Sequence, residues 1–123
     1  AAGLTSADIS FINAHGTGTP LNDVTETDAI KACFGKHAYD IKVNSTKSMT
    51  GHMLGAAGAM EAVLTLQSLN AGVALPTINL LVPDEACDLN YVPNQAQKMD
   101  TRYGISNSLG FGGHNSSILI KKG

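Results

Sequence analysis

The chain has no tryptophan and only three Tyr and three Phe, and these few aromatics are scattered. A stacking platform for single-stranded nucleic acid needs rings in series. Charge is also sparse: 15% of residues are charged, with eight Lys+Arg against ten Asp+Glu. A net charge of −2 argues against a phosphate-backbone footprint, and no nucleic-acid partner is expected. Two cysteines, Cys33 and Cys87, supply neither a disulfide framework nor a CxxC spacing, so a reducing compartment is expected. No apolar run approaches the roughly 20 residues of a membrane span. The segment Ala1–Thr5 carries no signal-peptide pattern and no initiator Met. Asn44 and Asn115 open N-x-[ST] triplets, which without a secretory context are read as chance.

A length of 123 residues allows one domain, or part of a larger one. At 43% hydrophobic residues the chain has enough apolar side chains for a core. Glycine is the excess: 13 residues, clustered at Gly16 and Gly18, at Gly51, Gly55 and Gly58, and at Gly104, Gly110, Gly112 and Gly113. His15, His52 and His114 sit inside these clusters.

Ile9–Asn13 reads as a strand covered on both faces. Gly16, Gly18 and Pro20 keep His15–Leu21 irregular. Asp23-x-x-Glu26 reads as the capping box of a helix that buries Ala29, Ile30, Cys33 and Phe34 and stops at Gly35. Ile41–Val43 is a second strand, ending in the loop Asn44–Gly51. Gly55–Asn70 is so apolar that it reads as a buried central helix. Pro76, Pro83 and Pro93 punctuate an irregular connection in which Asp88–Tyr91 is extended. Arg102–Leu109 and Ser116–Lys122 read as strands joined by a turn at Gly110–Gly113. The order implies an α/β layer structure with a mixed sheet.

Three segments carry chemistry. In Asn13-Ala14-His15-Gly16-Thr17-Gly18-Thr19, a strand end fixes an imidazole, glycines admit a ligand to the backbone, and hydroxyls can bond a polar chain. The bland alternative is a glycine-rich turn with a satisfied histidine. Lys47 and His52 flank a polar loop at the start of an apolar helix, a placement suited to a carboxylate or developing oxyanion. Glu61 in that helix needs a partner, since a bare buried carboxylate is costly. Ser106-Asn107-Ser108-Leu109-Gly110-Phe111-Gly112-Gly113 offers bare amides and one large apolar side chain, the parts of an oxyanion hole and a gate. Its alternative is a hairpin turn with Phe111 as a core plug. GxGxxG, the Walker loop, HExxH and the G-x-S-x-G elbow are all absent. Neither Cys33 nor Cys87 has the setting of a nucleophile.

Taken together, NAHGTGTPLND at Asn13–Asp23, STKSMTGHMLGAAGAMEA at Ser45–Ala62 and SNSLGFGGHNSS at Ser106–Ser117 resemble the β-ketoacyl-[acyl carrier protein] synthases, above all the synthase II type. Thiolases carry a cysteine in the turn where Phe111 stands. Type III synthases have Asn for one histidine, and modular polyketide synthases usually read KSNxGH.

The resemblance implies a thiolase-like αβαβα fold, with residues 1–123 supplying the C-terminal part. It implies a decarboxylating condensation of malonyl-carrier protein with an acyl thioester. His15 and His52 match the histidines that support decarboxylation and stabilise the enolate, and Lys47 matches the lysine of their network. Phe111 matches the gate, and Thr17 and Thr19 match hydroxyls lining the pantetheine tunnel. Asn13, Glu61, Ser106 and Asn107 match a polar cluster that binds a monovalent cation, K+ or Na+, in some members; no cofactor is required. The nucleophilic cysteine matches no residue here, so roughly 270–300 preceding residues are expected in the full enzyme. Acyl carrier protein is the implied partner and a homodimer the implied assembly, in a bacterial cytoplasm or in a plastid or mitochondrion. The alternative is a non-catalytic partner that sets chain length; retention of both histidines and the lysine opposes it.

Overall fold

The computed structural model describes residues 2–123; Ala1, where the amino-terminal segment begins, lies outside the described residues. In chain order the regular elements are β1 (Phe11–Asn13), α1 (Pro20–Phe34), β2 (Lys42–Asn44), α2 (Lys47–Thr50), α3 (Ala57–Ala71), β3 (Val73–Ala74), β4 (Gln97–Lys98), β5 (Tyr103–Leu109) and β6 (Asn115–Lys121). The main sheet has the order β2-β1-β5-β6, with β1 parallel to both neighbours and β5 antiparallel to β6. It is the mixed sheet expected. β3 and β4 form a separate two-stranded ribbon.

β1 is buried along its whole length because it lies between two strands and two helical layers. Alternation divides its side chains. Ile12 joins Ile9, Ile30, Ile41, Val43 and Leu89 on the α1 side, while Phe11 packs with Leu69, Ala74 and Val92 on the other. Asn13 shares the Phe11 side and reaches α3, where its Nδ2 donates to the Glu61 carbonyl at 3.2 Å. The site therefore lies at the carboxyl ends of β1 and β2, where loops leave the sheet.

α1 begins three residues earlier than Asp23, with Pro20 in its first turn. The expected capping box does not form: Asp23 Oδ1 instead accepts from Gly18 N–H at 3.2 Å, and Glu26 is drawn off to the histidine loop. Gly35 ends the helix at φ 57°, as expected. Of the expected apolar face only Ile30 is buried; Cys33 and Ala29 are exposed, and Phe34 is half-buried against the core. The loop after β2 contains the short helix α2, which glycine and hydroxyl content concealed.

α3 forms where expected and ends on Gly72 in the left-handed region. Its orientation reverses the reading from composition. The buried positions are Ala57, Glu61, Thr65, Ser68 and Leu69, whereas Met60, Val63 and Leu66 are exposed. Polar residues at helical spacing face the sheet because Glu61 is paired there with Lys47, and Thr65 Oγ1 donates back to the Glu61 carbonyl at 2.7 Å. The apolar side has no partner among the described residues. Among the described residues no helix is long and apolar enough to cross a membrane.

Candidate active site

The first wall is the loop after β1. Ala14 N–H donates to the Asn44 carbonyl at 2.8 Å, which closes the strand end against β2. The chain then turns, and the Glu26 carboxylate receives it: His15 N–H and Gly16 N–H each donate to one of its oxygens at 3.0 Å. Glu26 is only 4% exposed, and Asn22 and Asn107 amides complete its contacts at 3.4 and 3.3 Å. Gly16 has φ 44°, and a Cβ added to it would lie 2.5 Å from Ser45 Cβ, so only glycine fits. Thr17 and Thr19 hydroxyls bond each other at 2.8 Å.

The second wall is α2 and the loop to α3. Lys47 is buried and paired with the Glu61 carboxylate. Its Nζ also lies 3.4 Å from His15 Nδ1. An ammonium has only donors, so Nδ1 of His15 is the acceptor and the ring proton sits on Nε2. His52 reaches the same state by another route. Leu54 adopts φ 52°, unusual for leucine, and its N–H donates to His52 Nδ1 at 3.0 Å. His52 Nε2 therefore also carries its proton. The two rings meet edge to face, with centroids 5.6 Å apart.

Desolvation holds His15 below the usual histidine range, and the Lys47 cation adds to this; Glu26 opposes it, and His52 lowers it further. The imidazole is thus kept neutral beside a cation, and a neutral ring with Nε2–H is a hydrogen-bond donor without a charge of its own.

Thr17, Thr19, Lys47 and His52 line one cavity of about 500 Å³. Its opposite part is built from α1 and the segment 77–91, where Thr27 and Tyr91 hydroxyls bond at 2.6 Å. Burial pushes the Tyr91 hydroxyl up to about 12. Cys87 lines this part; Cys33 lies exposed on α1.

The third wall is the β5–β6 hairpin. Its turn is made by Gly112 and Gly113 at φ 81° and 82°, and Gly110 N–H donates to the His114 carbonyl at 2.7 Å. Phe111 at its tip is fully exposed, so it is not a core plug.

The four residues matched to a cation cluster come from β1, α3 and β5, and the two on β5, Ser106 and Asn107, lie on opposite faces of the sheet. Asn13 and Ser106 are registered neighbours on β1 and β5, and Asn13 bonds the Glu61 backbone. Glu61 Oε2 and Ser106 Oγ are buried without a hydrogen-bond partner, which fits an oxygen-ligated ion. The Asn107 side chain does not join them: its Nδ2 donates to Glu26, and its Oδ1 accepts from Ser117 Oγ at 2.7 Å. Among the described residues no three His, Cys, Asp or Glu side chains cluster for a metal.

The sequence reading missed Glu26, Ser45 and the Leu54 amide. Glu26 matched a local capping pattern, and a backbone donor leaves no mark in residue type.

Comparison with known proteins identifies the family and the fold. The family described as "Beta-ketoacyl synthase, C-terminal domain" matches residues 1–81. The 3-oxoacyl-[acyl-carrier-protein] synthase 2 of Synechocystis sp. is 54% identical over 121 residues, covering 98% of this chain and 29% of that protein. Its namesake from Staphylococcus aureus (strain COL) is 51% identical with the same coverage. A solved type II polyketide acyl-carrier protein in complex with its ketosynthase superposes with a TM-score of 0.94 at 39% identity, over 98% of this chain and 29% of the other. The fold is the thiolase-like one of the ketosynthases, and the chain spans about 29% of the length of the curated relatives it matches.

Proposed function

Because the chain belongs to the β-ketoacyl synthase family and resembles its type 2 members, we propose that the protein carrying it elongates acyl chains by decarboxylating condensation. Malonyl-acyl carrier protein and an acyl thioester are the substrates, and the product is two carbons longer. Residues 1–123 act as the C-terminal part of the synthase.

One observation carries this reading: two imidazoles, each with Nδ1 occupied by a donor and its ring proton on Nε2, meet edge to face with centroids 5.6 Å apart. When the malonyl carboxylate leaves as CO2, the electron pair of the broken C–C bond moves into the thioester and makes an enolate oxygen. Two fixed donors stabilise that oxygen more than the starting carbonyl, which lowers the barrier. The enolate carbon then attacks the acyl thioester, forming a C–C bond and expelling the cysteine thiolate. That cysteine matches no residue of this chain. Thr17 and Thr19, on the cavity wall, would bond the pantetheine arm, and the exposed Phe111 would close over the acyl group.

Glu61 and Ser106, beside Asn13, would hold a monovalent cation, which would compensate buried negative charge; Asn107 would not contribute its side chain. Acyl carrier protein is the partner, and the whole protein works as a homodimer in a bacterial cytoplasm or an organelle.

The test is CO2 release from malonyl-acyl carrier protein by the protein as its gene encodes it. Release that falls more than about 100-fold in His52→Ala supports the reading. No release by the unaltered protein would overturn it in favour of a non-catalytic partner that sets chain length.

A further inference from the structure

Three backbone segments meet at Ser45. Its hydroxyl donates to the Gly16 carbonyl at 2.6 Å, its amide donates to Thr77 Oγ1 at 3.0 Å, and its carbonyl accepts from Ser48 Oγ at 2.9 Å. Ser48 Oγ in turn accepts from Ile78 N–H at 2.9 Å. The histidine loop, the α2 segment and the 77–78 segment are therefore stitched together through one side chain and its own peptide.

Gly16 is gripped at both ends. Its N–H donates to Glu26 on α1, and its carbonyl accepts from Ser45 at the end of β2. A Cβ on Gly16 would collide with Ser45 Cβ, so this approach is as close as backbone allows. His15 precedes Gly16, and Lys47 lies two positions after Ser45. The Ser45–Gly16 bond therefore sets the spacing of the two segments whose side chains must meet. Their contact is 3.4 Å, at the long end for a hydrogen bond, and a small displacement breaks it.

Resting on the function proposed above, we infer that Ser45 is a positioning residue of the condensing site. Through the Gly16 carbonyl it keeps His15 Nδ1 in reach of Lys47, and so keeps the His15 Nε2–H available to the enolate. Ser45 need touch no reacting atom to do this. Thr77 supports it from the other side, since its hydroxyl takes the Ser45 amide proton.

Ser45→Ala, Ser45→Thr and Thr77→Val, made in the protein as its gene encodes it, test the inference. Ser45→Ala should lower kcat for CO2 release about tenfold and leave KM within about twofold, as a displaced rather than a missing group does. Its His15 ring nitrogens, followed by ¹⁵N NMR, should pass from one tautomer to a mixture. Ser45→Thr keeps the hydroxyl and should restore both readouts, and Thr77→Val should move them the same way by less. Unchanged kcat and ring signals in Ser45→Ala overturn the inference, as does a raised KM at unchanged kcat. Should the unaltered protein release no CO2, the proposed function falls, and the ring signals alone decide the role of Ser45.

Discussion

Glu26→Gln removes one acceptor oxygen from the centre of a four-donor cluster, and the structure allows its effect to be worked out. The carboxylate takes His15 N–H on one oxygen and Gly16 N–H on the other, both at 3.0 Å. A glutamine has a single carbonyl oxygen, so whichever way the amide lies, one backbone donor faces an NH2 group. A charge-assisted hydrogen bond of about 1.5–3 kcal/mol is lost, and the orphaned, partly buried donor costs about 1–3 kcal/mol more. With partial relaxation, the expected loss is about 2–4 kcal/mol of folding stability, a large fraction of a typical 5–15 kcal/mol. Urea unfolding should show this as a lower midpoint at unchanged slope. A second readout has a sign of its own. Desolvation and Lys47 lower the His15 pKa, while the Glu26 charge raises it. Removing that charge at constant shape should make His15 titrate at still lower pH. A stability change below about 0.5 kcal/mol, the size expected of ordinary surface substitutions, together with an upward or absent shift of the His15 titration, would refute the reasoning.

Other outcomes follow from the same geometry. Because His15 titrates below its unfolded value of 6.5, the unfolded chain takes up its proton first as pH falls. Stability should therefore drop as pH falls through 6.5, and His15→Phe should flatten that part of a urea-midpoint profile. Leu54→Gly keeps the N–H that caps His52 and relieves a left-handed leucine whose side chain is 78% exposed. Thermal melts should show equal stability or a gain of up to about 1 kcal/mol, with the His52 tautomer preserved in ¹⁵N spectra. Phe111→Ala should leave stability within about 0.5 kcal/mol, since the ring is fully exposed, while condensation by the whole protein falls.

The elements, and the places in them of the chief candidate residues, were legible where local chemistry and fold agree. Gly16, Gly18 and Pro20 forbid regular structure after β1, so His15 had to stand on a loop. Lys47 and His52 stand before an alanine-rich helix that forms as read, and the turn at Gly110–Gly113 joins two antiparallel strands. Glu26 was not legible, because Asp-x-x-Glu at a helix start satisfies a short-range rule, whereas its actual donors come from a loop folded back over the helix. Burial of α3 failed for a different reason. Composition counts apolar residues, but Glu61, Thr65 and Ser68 recur at helical spacing, and their polar stripe faces the sheet. That stripe was visible as a period and was outweighed by the alanines and leucines around it.

The central strand has a consequence for the order of events during synthesis. β1 leaves the ribosome well before β5, one of its two neighbours in the sheet. Until β5 emerges, the second edge of β1 has no mate, and β2 can cover only one side. Closing so long a loop is slow in conformational search, and an unpaired apolar edge is prone to wrong pairing while it waits. The Asn13–Ser106 row therefore cannot assemble before β5 has emerged, and a nascent chain stalled before the hairpin is a natural client for a chaperone.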